Sequence, residues 1–232
     1  MIYQFYHNEE TFESCESSAL NTPWGIGESI YNSTNRTNIN NLNKELCEWT
    51  GIFDVWKNEL NKHNWIGVSH YRRPAPSSLR KSQGLVDNLL NNYQAITWHS
   101  SAINIKKHVE YHHGTLWNLL DSLVRYNFSD EEIVSYEFLF NRPMIHPLAN
   151  CFIMKSVDFE AYCNWVWKII NPIVLKISEN PEELFGLQLK GTRVMAYICE
   201  YLFPIYVKLH LKNVLMMTEV GAKDSHPIIV ST

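Results

Sequence analysis

Two adjacent arginines close behind a histidine, in the stretch Trp65-Ile66-Gly67-Val68-Ser69-His70-Tyr71-Arg72-Arg73-Pro74, are the residues of this chain best suited to chemistry. A guanidinium keeps its charge at any working pH and presents a planar fork of donors that matches phosphate or carboxylate oxygens. The apolar run ahead of the pair reads as a buried strand, and in open α/β sheets ligands gather beyond the carboxyl ends of the strands. The stretch therefore points to an anionic ligand. The plain alternative is that Arg72 and Arg73 form surface ion pairs and His70 is a hydrogen-bonded core residue.

Four further groups can contribute. In Cys47-Glu48-Trp49-Thr50 the acid either faces a ligand from the start of a helix or simply favours the positive helix end. Arg193 and Glu200, seven residues apart, share one helix face and can act as a binding arginine with a carboxylate base, or as part of an intrahelical pair network. His108, His112 and His113 include an i,i+4 pair able to ligate a metal or contact phosphate, although no third ligand stands nearby in sequence. His146 and Asn150 flank a strand, where an amide can fix a hydroxyl-rich substrate or bond backbone. Neither G-x-x-x-x-G-K-[ST] nor G-x-G-x-x-G occurs, so ATP hydrolysis and Rossmann dinucleotide binding lose their usual support, and no Asp-x-Asp is present.

The elements that must position these groups follow from periodicity. Ile2 to Tyr6 has the β-branched and aromatic bias of an opening strand, and Asn32 to Asn43 reads as a loop. Leu46, Trp49, Ile52, Phe53 and Trp56 recur at three- and four-residue intervals, which predicts an amphipathic helix over Lys44 to Leu60, directly before the His70 strand. Pro74 and Pro76 should end regular structure and leave Ser77 to Gly84 polar and flexible. Helices are then expected over Leu85 to Leu90, Lys106 to Tyr126, after the cap Ser129-Asp130-Glu131-Glu132, over Asp158 to Ile170 and over Arg193 to Val207. Tyr93 to Trp98, Asn150 to Met154 and Val214 to Met217 should be strands. Such alternation predicts an α/β fold.

Composition narrows the function further. The 232 residues suffice for one domain with a substantial core. A net charge of −4 with 19% charged residues lacks the basic signature of a nucleic-acid binder and the composition of a disordered chain. Five scattered cysteines, with no C-x-x-C pair, argue against a zinc site or a disulfide framework. The N-terminus has no signal-peptide pattern and no run reaches the length of a membrane span, so cytoplasmic residence is expected.

The order of the motifs adds a resemblance. Cys47-Glu48-Trp49-Thr50-Gly51-Ile52 with Trp56-Lys57-Asn58, then Trp65 to Arg73, then Asn150-Cys151-Phe152-Ile153-Met154-Lys155 with Tyr162-Cys163-Asn164-Trp165, and finally Arg193-Val194 with Glu200, resemble the bacterial DUF4422 family over residues 44–210. Members look like glycosyltransferases of capsule and lipopolysaccharide O-antigen synthesis.

The resemblance implies one GT-A-like α/β domain over residues 1–232, a mixed central sheet flanked by helices. Such a domain would pass a sugar from a nucleoside diphosphate donor, UDP-linked and in some members galactose, to a glycan or lipid-linked glycan, with peripheral association at the inner membrane face. A diphosphate leaving group needs fixed cations. His70, Arg72, Arg73 and Arg193 are the candidates for it, with His70 alternatively a ligand for Mn²⁺ or Mg²⁺. Glu48 or Glu200, and after them His112, are the candidate bases; Tyr71, His113 and Asn150 are candidates for the acceptor or sugar side. Pro74-Ala75 replaces the family's aromatic pair and Asn64 an acid, so acceptor contacts are expected to differ. The alternative is a non-catalytic glycan- or nucleotide-binding module that keeps the fold.

Overall fold

The computed structural model describes residues 1–27, 36–179, 192–217 and 227–231. Its strands are β1 (Ile2–Tyr6), β2 (Asn21–Gly25), β3 (Trp65–His70), β4 (Ala95–Thr97), β5 (Ser100–Ile103), β6 (Met144–Pro147), β7 (Phe152–Lys155), β8 (Asn213–Met217) and β9 (Pro227–Ser231). The helices are α1 (Glu9–Glu13), α2 (Asn43–Leu46), α3 (Glu48–Glu59), α4 (Ser77–Lys81), α5 (Gln83–Asn92), α6 (Ile105–His113), α7 (Leu116–Asn127), α8 (Asp130–Phe140), α9 (Ser156–Glu179) and α10 (Val194–His210).

Seven strands form a mixed sheet in the order β2-β1-β3-β7-β4-β8-β9, and β5 pairs with β6 in a small second sheet. β1 runs parallel to β2 and β3, and β4 parallel to β8, whereas β7 lies antiparallel between β3 and β4. One edge of the sheet therefore collects the carboxyl ends of β1, β3 and β4 together with the entry to β7.

Side-chain alternation along each strand divides the core between the two faces. Tyr3 and Phe5, Ile66 and Val68, Phe152 and Met154, and Val214 and Met216 pack with α3, α9 and α10. Ile2, Trp65, Ile96, Ile153 and Leu215 pack on the other side with Leu79 of α4 and with Val86 and Leu90 of α5. Continuing the count Ile66, Val68, His70 sets the buried imidazole on the α3 face.

The structure corrects several expectations. The helix expected over Lys44 to Leu60 breaks at Cys47, whose φ of 45° ends α2 and redirects the chain into α3. Thr50 Oγ1 closes the break by donating to the Cys47 carbonyl at 2.7 Å. Ser77 to Gly84 is not a flexible loop but α4 and the start of α5, because Leu79 is fully buried and Arg80 Nε donates to the Ala75 carbonyl at 2.7 Å. The helix over Lys106 to Tyr126 is two, divided at Gly114, whose φ of 56° glycine tolerates. The predicted 158–170 helix runs from Ser156 to Glu179 through Pro172. Of the predicted 32–43 loop, residues 32–35 lie outside the described residues, and Asn40–Leu42 forms a 3₁₀ turn. Ser129 caps α8 as expected, in a capping box with Glu132. Among the described residues no helix is long and apolar enough to cross a membrane.

α3 approaches β1 closely at Gly51, where an added Cβ would fall 2.7 Å from both Ile26 Cγ2 and Phe5 Cε1. In Gly51→Ala, overpacking of about 1–3 kcal/mol should outweigh the helix-propensity gain of about 1 kcal/mol. A lower urea midpoint with an unchanged slope is expected; an unchanged or higher midpoint would show that α3 has room to move.

Candidate functional site

At the collecting edge of the sheet lies a cavity of about 250 Å³. Three elements bring charge to it. The end of β3 supplies His70 and the turn after it Arg72 and Arg73, the start of α3 supplies Glu48, and α10 with its N-cap supplies Glu200 and Arg193. Asn150, on the way into β7, completes the polar lining, while Trp49, Tyr197 and Cys199 add apolar wall.

The β3 turn is tied down by backbone. Arg73 N–H donates to the His70 carbonyl at 2.8 Å, and Trp98 Nε1 donates to the Arg73 carbonyl at 3.3 Å. Arg72 leans over the Tyr71 ring, with Cζ 5.4 Å from its centroid. Among the described residues no carboxylate comes within ion-pair distance of Arg72, Arg73 or Arg193. Arg193 Nε instead donates to Cys47 Sγ at 3.2 Å.

His70 Nε2 lies 3.0 Å from Glu48 Oε1, and the Arg72 backbone N–H donates to His70 Nδ1 at 3.2 Å. A ring that accepts at Nδ1 carries its proton on Nε2, which faces the Glu48 carboxylate. Burial alone would raise the Glu48 carboxyl. The hydrogen bond and charge of His70, the backbone N–H at the helix start and His7 outweigh it and bring the pKa down to about 2. Glu200 shifts the other way: burial and then the Glu48 charge raise it, against Arg73, Arg193 and a backbone hydrogen bond from Ala149. One carboxylate is thus held ionised while its neighbour is held ready to take a proton, the pattern by which paired acids divide their roles.

Among the described residues the three non-glycine positions with positive φ are Cys47 at 45°, Ala149 at 61° and Asn150 at 46°, and all three adjoin the cavity. Such backbone costs about 1–3 kcal/mol per residue and clusters at working sites. Tyr162 donates to Asn150 Oδ1 at 2.8 Å, which leaves the Asn150 amide NH₂ as the group free for a ligand.

Seven predicted residues, Glu48, His70, Arg72, Arg73, Asn150, Arg193 and Glu200, therefore meet in one cavity. Three do not line it. Tyr71 stands beside it against His70, at 4.2 Å between ring centroids. His112 is exposed on α6, against His108 at 4.4 Å. His113 packs ring to ring behind the lining residue Tyr197, at 4.0 Å.

His7, beyond the carboxyl end of β1, escaped the sequence reading. Its ring nitrogen joins Glu48 and His70 in a trio of donor atoms all within 4.8 Å of one another. The available signal was its place one residue past the opening strand, the same end at which β3 delivers His70. Two imidazoles and one carboxylate suit a transition ion better than Mg²⁺, which wants oxygen ligands. The Nε2 proton of His70, committed to Glu48, opposes ligation by that nitrogen.

Residues 26–212 match the sequence model of a family described as a domain of unknown function, DUF4422. The whole chain superimposes on the apo structure of the bifunctional glycosyltransferase WbbM with a TM-score of 0.68 at 19% identity. The match spans 45% of that chain, so this protein corresponds to less than half of the neighbour's length. No curated protein matches the sequence.

The two carboxylates should respond oppositely to neutralisation. The raised Glu200 stabilises fully below the unfolded carboxylate range near 4.5 and loses that stability as pH rises through its folded value. Glu200→Gln should therefore melt higher than wild type at pH 7–8, with the difference fading toward pH 4. The depressed Glu48 contributes above about 4.5 and loses that contribution as pH falls through about 2. Glu48→Gln should cost about 3 kcal/mol at neutral pH, a gap that closes on acidification. Melting temperature against pH checks both, and curves parallel to wild type would remove the electrostatic assignment.

Proposed function

The chain belongs to the DUF4422 family, and from that premise we propose that it is a glycosyltransferase of GT-A-like architecture, moving a sugar from a nucleoside diphosphate to a hydroxyl of a glycan or lipid-linked glycan. One observation carries this reading. Three guanidiniums with no carboxylate partner among the described residues share a cavity with two carboxylates whose ionisation is pushed in opposite directions.

In an inverting transfer the acceptor hydroxyl gives its proton to Glu200 as its oxygen bonds the anomeric carbon. The bond from that carbon to the diphosphate oxygen breaks, and the electron pair leaves on the diphosphate. Arg72, Arg73 and Arg193 stabilise that developing charge without reorganising. Glu200 suits the base because a raised carboxyl pKa takes a proton more readily near neutrality. Glu48, ionised and bonded to His70, positions the β3 turn and keeps the proton demand on Glu200.

A UDP-linked donor, galactose among the sugars to test first, and a surface-polysaccharide acceptor are the finer proposals, and they rest on the family resemblance. Cytoplasmic residence with peripheral attachment at the inner membrane face follows from a lipid-linked acceptor. A divalent ion such as Mn²⁺ would take His7, Glu48 and His70 if His70 gave up its proton, and it would add charge beside the diphosphate; the three arginines already supply that charge.

Thermal-shift titration with UDP, GDP, CMP and their sugar conjugates tests the donor site, since a ligand of the native state raises the melting temperature. One nucleotide class should shift the protein selectively. Arg72→Ala and Arg73→Ala should each weaken that ligand by about 1.5–3 kcal/mol, roughly tenfold or more. Glu200→Gln should retain donor binding while turnover falls about 100-fold or more. Normal turnover in that variant would remove Glu200 as the base, and donor binding with no transfer by wild type to any acceptor would favour the non-catalytic module.

A further inference from the structure

Three stretches singled out in the sequence, Cys47 to Ile52, Asn150 to Lys155 and Tyr162 to Trp165, meet at the wall of the arginine cavity. Tyr162 of α9 is fully buried against Phe152, Phe203 and Tyr206, at 5.4, 5.7 and 5.1 Å between ring centroids, which fixes its ring. Its hydroxyl lies 2.8 Å from Asn150 Oδ1, and Asn150 lines the cavity. Burial keeps the phenol protonated. The Trp49 indole N–H faces the same phenol oxygen without closing on it as a full hydrogen bond. An indole can only donate, so the phenol turns its own proton the other way, to Asn150 Oδ1. The amide is left with its carbonyl occupied and its NH₂ open.

Asn150 also adjoins the candidate base. The Ala149 backbone N–H donates to the Glu200 carboxylate, and Ala149 and Asn150 both hold positive φ, at 61° and 46°. Their side of the cavity therefore offers a donor-only amide next to a carboxylate whose pKa is raised.

We propose that Asn150 and Glu200 hold the acceptor hydroxyl between them, and that Tyr162 is a positioning residue that keeps the Asn150 NH₂ turned toward it. The hydroxyl oxygen accepts from Asn150 Nδ2 with one lone pair while its proton points to Glu200. As that oxygen bonds the anomeric carbon with its other lone pair, the proton passes to Glu200 and the electron pair of the broken bond leaves on the diphosphate. A flipped amide would present Oδ1, which competes with Glu200 for the hydroxyl proton. Tyr162 opposes the flip, because its own proton would then meet only the Trp49 N–H. The pair selects a hydroxyl, donor and acceptor at once; a phosphate oxygen cannot donate and is repelled by Glu200. That the hydroxyl belongs to an acceptor rests on the glycosyltransferase reading; that the amide NH₂ faces Glu200 does not.

Two measurements on the intact protein test this. In ¹⁵N spectra the Asn150 side-chain NH₂ is identified by its loss in Asn150→Gly, glycine being suited to the positive φ. It should move both in Tyr162→Phe and in Glu200→Gln, and an NH₂ that stays in place in either variant overturns the proposal. Transfer is measured from UDP-galactose, UDP-glucose and GDP-mannose to methyl glycosides of the same sugars and to water. Tyr162→Phe and Asn150→Gly should each lower kcat/KM about tenfold or more, with nucleotide affinity unchanged within about twofold. The double variant should be no slower than Asn150→Gly, since Tyr162 acts through the amide. Additive losses, or a loss of nucleotide affinity, overturn the positioning role, and Asn150→Gly carries the kinetic test if Tyr162→Phe does not fold. Wild type that transfers nothing, even to water, removes the acceptor role together with the glycosyltransferase reading, whereas transfer with an unmoved NH₂ removes this proposal alone.

Discussion

The contact between His70 and Glu48 is the interaction on which the site's geometry depends. It joins the carboxyl end of β3 to the first turn of α3 at 3.0 Å, and it exists only because two independent rules agree there. Strand alternation sets His70 on the α3 face, two residues past Val68. The Cys47 break then starts a new helix with Glu48 in its first turn, and the close packing of Gly51 on Phe5 brings that turn down to the sheet. With the imidazole Nε2–H facing Glu48, the Arg72 N–H closes on Nδ1, so one proton's location orients the turn that carries both arginines.

Around this contact the protein tolerates arrangements that an ordinary core would not keep. Three non-glycine residues of positive φ, a raised carboxyl and guanidiniums with no carboxylate partner among the described residues lie in or beside one cavity, and each is unfavourable locally. Neighbours hold them: Tyr162 fixes Asn150, Cys47 accepts from Arg193, and Trp98 and Cys151 bond the Arg73 carbonyl. The strain is supported by the buried layers of α3, α9 and α10, which have no polar role of their own. Local inconsistency of this kind, embedded in a consistent scaffold, is what a working site is expected to show.

Net charge conceals the local charge at the sheet edge. The chain carries −4 overall, yet the edge of the sheet presents three guanidiniums that have no carboxylate partner among the described residues. Local field and not the overall balance makes that edge favourable to an anion.

The sequence by itself determined the α/β class, the buried strand ending in His70, the capped start of α8 and the seven charged or amide residues that converge at the sheet edge, because periodicity and residue chemistry are local properties. It could not locate the backbone breaks at Cys47 and Gly114 or the helix over Ser77 to Lys81, since their causes, a left-handed φ and the burial of Leu79 and Arg80, arise from packing. Nor could it supply His7, whose role depends on β1 lying parallel beside β3, or separate His112 from Glu48, which required the placement of α6. The antiparallel insertion of β7 decided the rest: it brings Ala149 and Asn150 to the same edge as the arginines, so that Glu200 meets Glu48 and their ionisations part. Distance between residues far apart in sequence set those shifts, and only the folded chain fixes that distance.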